Sequence, residues 1–156
     1  MSIMGLDDTD YTIIRNLQME GRLSNSDLAD RVNLSASACL RRVRLMEEAG
    51  IIEGYTMLVN PAAVGKPSII FVEISLTSQS EKNLVDFEKA VSDCPEIMEC
   101  YLMAGSFDYL LRIVASDASD YERIHKLYLS RLPNVSRIQS NFALRTVCKR
   151  TVFQIG

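Results

Sequence analysis

Apolar side chains recur at the three- and four-residue spacing of amphipathic helices over the first fifty residues. Asp7 and Asp10 have the spacing of a capping box, in which two residues satisfy each other's backbone N–H groups at the start of a helix. The pattern predicts a first helix that ends near Gly21. Its apolar face consists of Tyr11, Ile13, Ile14 and Leu17.

Two further short helices joined by a tight corner are predicted between Ser24 and Gly50. Ser24 or Asn25 can cap the first of these helices. Asn33 tolerates the left-handed backbone that ends a helix, and Ser35 can then cap the next one. The apolar faces consist of Leu28, Ala29 and Val32 in the first helix, and of Ala36, Cys39, Val43 and Met46 in the second. Two capped helices around one corner are typical of a helix-turn-helix.

The outer face of the second of these helices predicts contact with double-stranded DNA. Small residues at its N-terminal end allow it to approach base edges in a major groove. Three arginines rim this face, and their guanidinium groups match guanine and phosphate. An alternative is that the arginines only solvate an ordinary amphipathic helix. The candidate DNA-binding residues are Ser35, Ser37, Ala38, Arg41, Arg42 and Arg44.

The pattern changes after Gly50. Residues 51–61 are apolar and β-branched, which predicts a short strand or wing. Residues 61–67 contain small residues together with Gly65 and Pro67, a composition typical of a connector. We therefore predict a winged helix-turn-helix domain at 1–60, a hinge at 61–67 and a second domain at 68–156.

The second domain alternates strand and helix patterns. Strands are predicted at 68–76, 97–105, 109–116 and 135–147, and helices within 80–95 and 117–132. This order, βαββαβ, predicts a ferredoxin-like sheet and an α+β fold for the whole chain. Helices cover one face of such a sheet, so its other apolar face predicts pairing with a second copy as a homodimer.

The charge balance of the chain bears on whether it would bind specific DNA sites or coat DNA broadly. The formal net charge is −3, and the first sixty residues contain six Arg and no Lys against nine Asp and Glu. No overall positive field therefore attracts nucleic acid. Contact with DNA must come from a local patch, and avidity in an oligomer strengthens it. This balance favours specific DNA sites over broad coating of DNA.

The sequence gives little indication of a metal site, a catalytic site or a membrane span. No CxxC pair and no His spacing suited to zinc occur among Cys39, Cys94, Cys100 and Cys148, which predicts no metal site. The N-terminal residues MSIMGLDD also lack a basic region and a long apolar run, so we expect a reducing, cytoplasmic location. His125 is the only histidine, and no Ser or Cys has an evident base partner. No stretch reaches the roughly 18 apolar residues of a membrane span. We therefore expect neither an enzyme nor a membrane protein, and no cofactor.

Both halves of the chain resemble one family. The recognition-helix stretch LSASACLRRVRLMEE, the LVNP segment before the hinge and the hairpin GSFDYLL are similar to motifs of the Lrp/AsnC family of bacterial and archaeal transcription regulators. The resemblance covers nearly the whole chain, and the motifs occur in the family's order. It implies dimers that assemble further, often to octamers, bend promoter DNA and respond to a small effector, commonly an amino acid.

The resemblance also implies an effector site between dimers. It places Leu102, Ala104, Gly105, Ser106, Phe107 and Asp108 in the ligand loop, and Ser140, Asn141 and Ala143 in the wall supplied by a neighbouring dimer. Asp108 suits the ammonium group of an amino acid, and backbone N–H groups of the turn suit its carboxylate. The alternative is that GSFD is only a hairpin turn capped by Asp108. Asn141 stands where leucine-responsive members often carry an aromatic residue.

Two functions follow from these patterns. The first is a sequence-specific DNA-binding regulator whose DNA binding or assembly depends on an amino acid effector. The alternative is an architectural DNA-binding protein that works without an effector.

Overall fold

The computed structural model describes residues 5–155, so the outer limits predicted for the two domains, residues 1 and 156, lie outside it. The described residues form two compact units. One unit, the head, runs up to Leu58 and is joined by the tail, which we define as residues 147–155. The other unit is Val59–Thr146.

The head contains α1 (Asp8–Met19), α2 (Asn25–Arg31) and α3 (Ala36–Glu48), each of which begins at a predicted cap. Asp7 and Asp10 form the capping box of α1, and the hydroxyls of Ser24 and Ser35 accept backbone N–H groups of α2 and α3. Each cap of this kind stabilises its helix by about 1 kcal/mol. The core consists of Ile13, Leu28, Ala29, Cys39, Val43 and Met46.

The corner between α2 and α3 has the predicted left-handed residue. Asn33 has φ 55°, and the next N–H, that of Leu34, bonds to the carbonyl of Ala29 at 2.9 Å. This bond closes the end of α2 and turns the chain so that α3 can pack across it. The predicted helix-turn-helix is therefore confirmed.

The predicted strand at 51–61 is wrong, because these residues form no strand in the described structure. Tyr55, Met57 and Leu58 are exposed, with Met57 82% exposed. A strand requires a hydrogen-bonded neighbouring strand, and among the described residues none pairs with this segment. The N–H groups of Ile51 and Ile52 bond instead to the carbonyl of Met46 at the end of α3. Strand composition alone therefore did not fix its conformation.

The second unit has the predicted βαββαβ order. Its strands are β1 (Ser68–Leu76), β2 (Ile97–Leu102), β3 (Tyr109–Ala115) and β4 (Val135–Phe142). Its helices are α4 (Glu81–Val91) and α5 (Ala118–Leu127), followed by a 3-10 turn at Leu129–Arg131. The sheet order is β2-β3-β1-β4 with antiparallel neighbours, which confirms the ferredoxin-like prediction.

The last strand is shorter than predicted. β4 ends at Phe142, which lies opposite Ile70, and the N–H of Ala143 makes one further bond to Ile69. β1 begins at Ser68, so it offers β4 hardly any further partner. The predicted extension to residue 147 is wrong for this reason.

The two faces of the sheet differ in their cover. Ile70, Val72 and Ile74 of β1 are fully buried against the helices, where the rings of Phe87 and Tyr109 lie 4.4 Å apart. On the other face, which we call the open face, Phe71 of β1 is exposed. Alternation along β1 therefore separates a buried face from one that α4 and α5 do not cover.

The tail joins the head through α1. Phe153 donates its N–H to Gln18 Oε1 at 2.7 Å and accepts from Gln18 Nε2 at 3.4 Å. Arg15 Nη1 donates to the carbonyl of Ile155 at 3.2 Å.

In the described part of the chain, no helix combines the length and apolarity that a bilayer crossing needs.

Candidate DNA-binding surface and effector site

The exposed face of α3 presents most of the predicted DNA-binding residues. Ser37, Arg41 and Arg44 are exposed, and Ala38 is half-buried at the N-terminal end of the helix. No ion pair within the described residues involves Arg41 or Arg44, so their guanidinium groups are available to a ligand. The buried stripe of α3 holds this face outward.

Ser35 is already engaged as a cap. Its hydroxyl accepts from the N–H of Ala38 at 3.2 Å and lies 3.3 Å from the hydroxyl of Ser37. The cap fixes the first turn of α3, and this turn would approach base edges.

Arg42 differs from the other two arginines. Its Nη1 lies 2.8 Å from Asp7 Oδ2 and 2.8 Å from Asp10 Oδ1 at the start of α1. These hydrogen bonds raise the pKa of Arg42. The backbone N–H of Asp10 lowers the pKa of Asp7, and the hydrogen bond from Arg42 lowers it further. Arg42 therefore holds α3 against α1, and its predicted DNA contact remains a prediction.

Two contacts that the sequence pattern did not reveal also shape this surface. Asn25 Nδ2 donates to the carbonyl of Ala36 at 2.8 Å and ties α2 to the start of α3. Tyr55 donates its hydroxyl to Glu47 Oε1 at 3.0 Å. Partial desolvation of the hydroxyl, together with this carboxylate, raises the pKa of Tyr55 to about 12. The carboxylate of Glu47 is thereby occupied near the end of α3.

The predicted ligand loop is an exposed turn between β2 and β3. Leu102, Ala104, Gly105 and Ser106 are exposed, and Phe107 is half-buried. A side chain added at Gly105 would meet no atom within 4 Å in this chain. The turn therefore has open space beside it.

Asp108 anchors this turn from the inside. Its side chain is only 7% exposed, and its Oδ2 accepts from the N–H of Leu76 at 2.6 Å while Oδ1 accepts from Gln79 Nε2 at 2.5 Å. Its own N–H donates to the carbonyl of Ile74, and its carbonyl accepts from Met103. This geometry gives Asp108 the turn-fixing role named as the alternative, and its contact with an ammonium group stays a prediction.

The residues expected in the wall of the site do not share one surface. Ser140 lies opposite Val72, and its hydroxyl bonds to that of Tyr121 on the helix-covered side. Asn141 lies opposite Phe71 on the open face, where its Nδ2 is 3.4 Å from Glu73 Oε1. Ala143 follows the end of β4 and is exposed. The pleat therefore separates Ser140 from Asn141.

The predicted ligand loop borders a small cavity on the open face. It has a volume of about 60 Å³ and is lined by Glu73, Ser75, Ser106, Phe107, Arg137 and Gln139. Small-molecule pockets usually begin at roughly 300 Å³, so this cavity is too small to enclose a ligand of that size. Sequence analysis missed the acidic and basic side chains there, because strand pairing brings them together from distant positions. Among the described residues, no cluster of His, Cys, Asp and Glu has the arrangement of a metal site.

Comparisons with known sequences identify both domains. Residues 69–153 match the Lrp/AsnC ligand binding domain, and residues 6–53 match a winged helix-turn-helix DNA-binding domain.

Known proteins agree with this assignment over nearly the whole chain. An HTH-type transcriptional regulator of Sinorhizobium fredii is 52% identical over 116 residues, which are 74% of this chain and 91% of that protein. The leucine-responsive regulatory protein of Escherichia coli is 40% identical, covering 91% of this chain and 87% of its own. The structure of the Neisseria meningitidis transcriptional regulator NMB0573 in complex with L-Met has a TM-score of 0.88 and 34% identity, with 96% of each chain covered. The chain therefore belongs to the Lrp/AsnC family of DNA-binding transcription regulators, which are not enzymes.

Proposed function

We propose that this regulator recognises specific DNA sites through α3 and that an amino acid effector changes its DNA binding or its assembly. The observation that carries the proposal is the exposed, unpaired state of Arg41 and Arg44 beside Ser37 on α3, within the described structure. Arg matches guanine and phosphate in a major groove. Arg42, by contrast, holds α3 to α1 and thereby sets the orientation of the reading face.

The effector proposal draws on the relatives as well as on the loop. One similar protein is called leucine-responsive, and another was solved as a complex with L-Met. The turn at residues 104–107 is exposed, and Asp108 holds it in place. Its backbone N–H groups suit a carboxylate. Both features support a free amino acid as the ligand.

We place the complete site between copies of the chain. The cavity beside Phe107 is too small to enclose an amino acid. Asn141 and Ala143 of a neighbouring dimer would supply the missing wall, while Ser140 supports β4 from behind. Dimers form through the open face, larger assemblies such as an octamer form from these dimers, and the protein works in the cytoplasm beside its DNA. The proposed domains along the sequence are residues 1–60 and 68–156, joined by the hinge at 61–67, and the tail is the part of the second domain that packs with the head.

A melting-temperature screen against the twenty amino acids tests the effector. A ligand that binds the folded assembly raises the melting temperature by mass action. Gly105→Val should remove the shift without lowering the melting temperature of the free protein, since a side chain at Gly105 has open space. Gly105→Ala is the matched control with a smaller side chain, and it should retain part of the response.

The screen also separates the two functions. If no amino acid shifts the melting temperature while DNA still binds at specific sites, the effector proposal fails. The architectural alternative then explains the protein better. A shift that survives Gly105→Val would instead move the effector away from this turn.

A further inference from the structure

The tail brings positive charge to an acidic head. Lys149 and Arg150 are exposed, and no ion pair within residues 5–155 involves either of them. In the head itself, Arg42 is paired with Asp7 and Asp10, and Arg31 with Glu20, so part of its positive charge is already neutralised. The two tail cations therefore change the local balance substantially.

The tail is held at a defined place on the head. Gln18 of α1 donates to and accepts from the backbone of Phe153, and Arg15 donates to the carbonyl of Ile155. Phe153 itself is 77% exposed, so these backbone hydrogen bonds rather than burial of its side chain position the segment. The basic pair lies just before this anchored stretch.

The start of the anchored stretch lies close to another cation. Thr151 lines the same groove of the head as Arg22, and it directly follows Arg150 in the chain. Arg22 is exposed and lies in the turn between α1 and α2, without an ion pair in the described structure. The tail therefore places its positive charges near Arg22, ahead of α2.

The geometry of the helix-turn-helix places the region around Arg22 near the DNA backbone when α3 binds DNA. When the second helix of the motif enters the major groove, the first lies across the phosphate backbone. Arg22 precedes that first helix, α2. We propose that Lys149 and Arg150 of the tail, together with Arg22, bind backbone phosphates of the DNA that α3 reads. This inference rests on the proposed α3 surface, and its ligand is DNA phosphate irrespective of base sequence.

The salt dependence of DNA binding tests the inference. Each phosphate contact contributes about 0.9 to the slope of log binding constant against log salt concentration. Lys149→Ala/Arg150→Ala should therefore lower the magnitude of the slope by about two for each bound tail and weaken specific and non-specific duplexes to a similar extent. The measurement is a fluorescence-anisotropy titration of the full chain with an operator duplex and a scrambled duplex from 50 to 200 mM salt, about the range over which such contacts weaken.

Two control variants and one variant of the tail anchor are measured in the same titration. Lys82→Ala/Lys89→Ala removes two exposed lysines of α4 and should leave the slope unchanged, since α4 lies outside the head. The exchange Lys149→Arg/Arg150→Lys retains both charges and should retain the slope. Gln18→Ala weakens the anchoring of the tail and should reproduce a large part of the double alanine effect, because untethered cations lose their position near Arg22.

The outcomes distinguish this inference from the function itself. A double alanine variant with the wild-type slope overturns the phosphate site while α3 still binds the operator. Loss of operator preference with an unchanged salt slope would also overturn it, because phosphate contacts carry no base information. If wild-type protein bound no duplex, the proposed α3 surface would fail first. Light scattering must show the same assembly for all variants, and a change in assembly that accounts for the altered slope overturns the inference.

Discussion

The carboxylate of Asp108 provides the sharpest prediction about the stability of the second unit. Pairing between β1 and β3 ends at Ile74 and Tyr109, so the N–H of Leu76 on that edge has no ladder partner. Asp108 supplies the partner at 2.6 Å and also accepts from Gln79 at 2.5 Å. One buried side chain therefore closes the end of β1 and fixes the turn between β2 and β3.

Asp108→Asn is expected to destabilise the second unit by about 2 to 4 kcal/mol. An Asn oxygen can retain one of the two accepted bonds, but its NH₂ group then faces the other donor. Hydrogen bonds to a charged group contribute about 1.5 to 3 kcal/mol, and an orphaned buried donor costs roughly 1 to 3 kcal/mol. The change is nearly isosteric, so lost packing adds little.

Urea unfolding followed by circular dichroism measures this change. Protein concentration must be the same for all variants, because assembly couples to stability. The shift in midpoint multiplied by the m-value gives the change in unfolding free energy. Ser106→Ala in the same exposed loop is the control and should stay within about 0.5 kcal/mol of wild type. An equally small effect of Asp108→Asn would refute the role assigned to its carboxylate.

Three further predictions concern the head. Arg41→Ala should weaken specific DNA binding by about 1 to 3 kcal/mol at fixed salt without changing the melting temperature, and equal affinity would remove it from the interface. Arg42→Ala should lower the unfolding free energy of the head by about 1 kcal/mol, since its ion pairs are partly exposed; an unchanged urea midpoint would contradict this. Because the folded state lowers the pKa of Asp7 below its ordinary 3.8, the stability it contributes is present above that pH and disappears as pH falls below it. Asp7→Asn should flatten this acid dependence, and an identical acid profile would contradict the assignment.

The helix-turn-helix was predictable because its signals are local. Ser24, Ser35 and Asn33 act within a few residues of their own positions, as caps and as a left-handed corner. The βαββαβ order was likewise readable, because strand and helix periods differ and breakers such as Pro95 and Pro133 separate them. The hairpin turn between β2 and β3 could be located because Gly105 and Asp108 interrupt two apolar strand patterns.

The candidate site was only partly predictable. The turn between β2 and β3 was readable from the sequence. The separation of Ser140 from Asn141, in contrast, depends on how β4 pairs with β1. The engagement of Arg42 depends on where α3 meets α1. Glu73 and Arg137 share a cavity only because their strands are neighbours.

The sequence by itself determined the helices with their caps, the order of the four sheet strands and which face of each element is apolar, because these properties depend on spacing along the chain. Tertiary structure decided which charges neutralise one another, where β4 ends and where the tail lies. These depend on contacts between residues far apart in sequence, such as Gln18 with Phe153 and Leu76 with Asp108. Such contacts form, and stabilise the chain, only once the elements have packed. No local pattern in the sequence could therefore specify them.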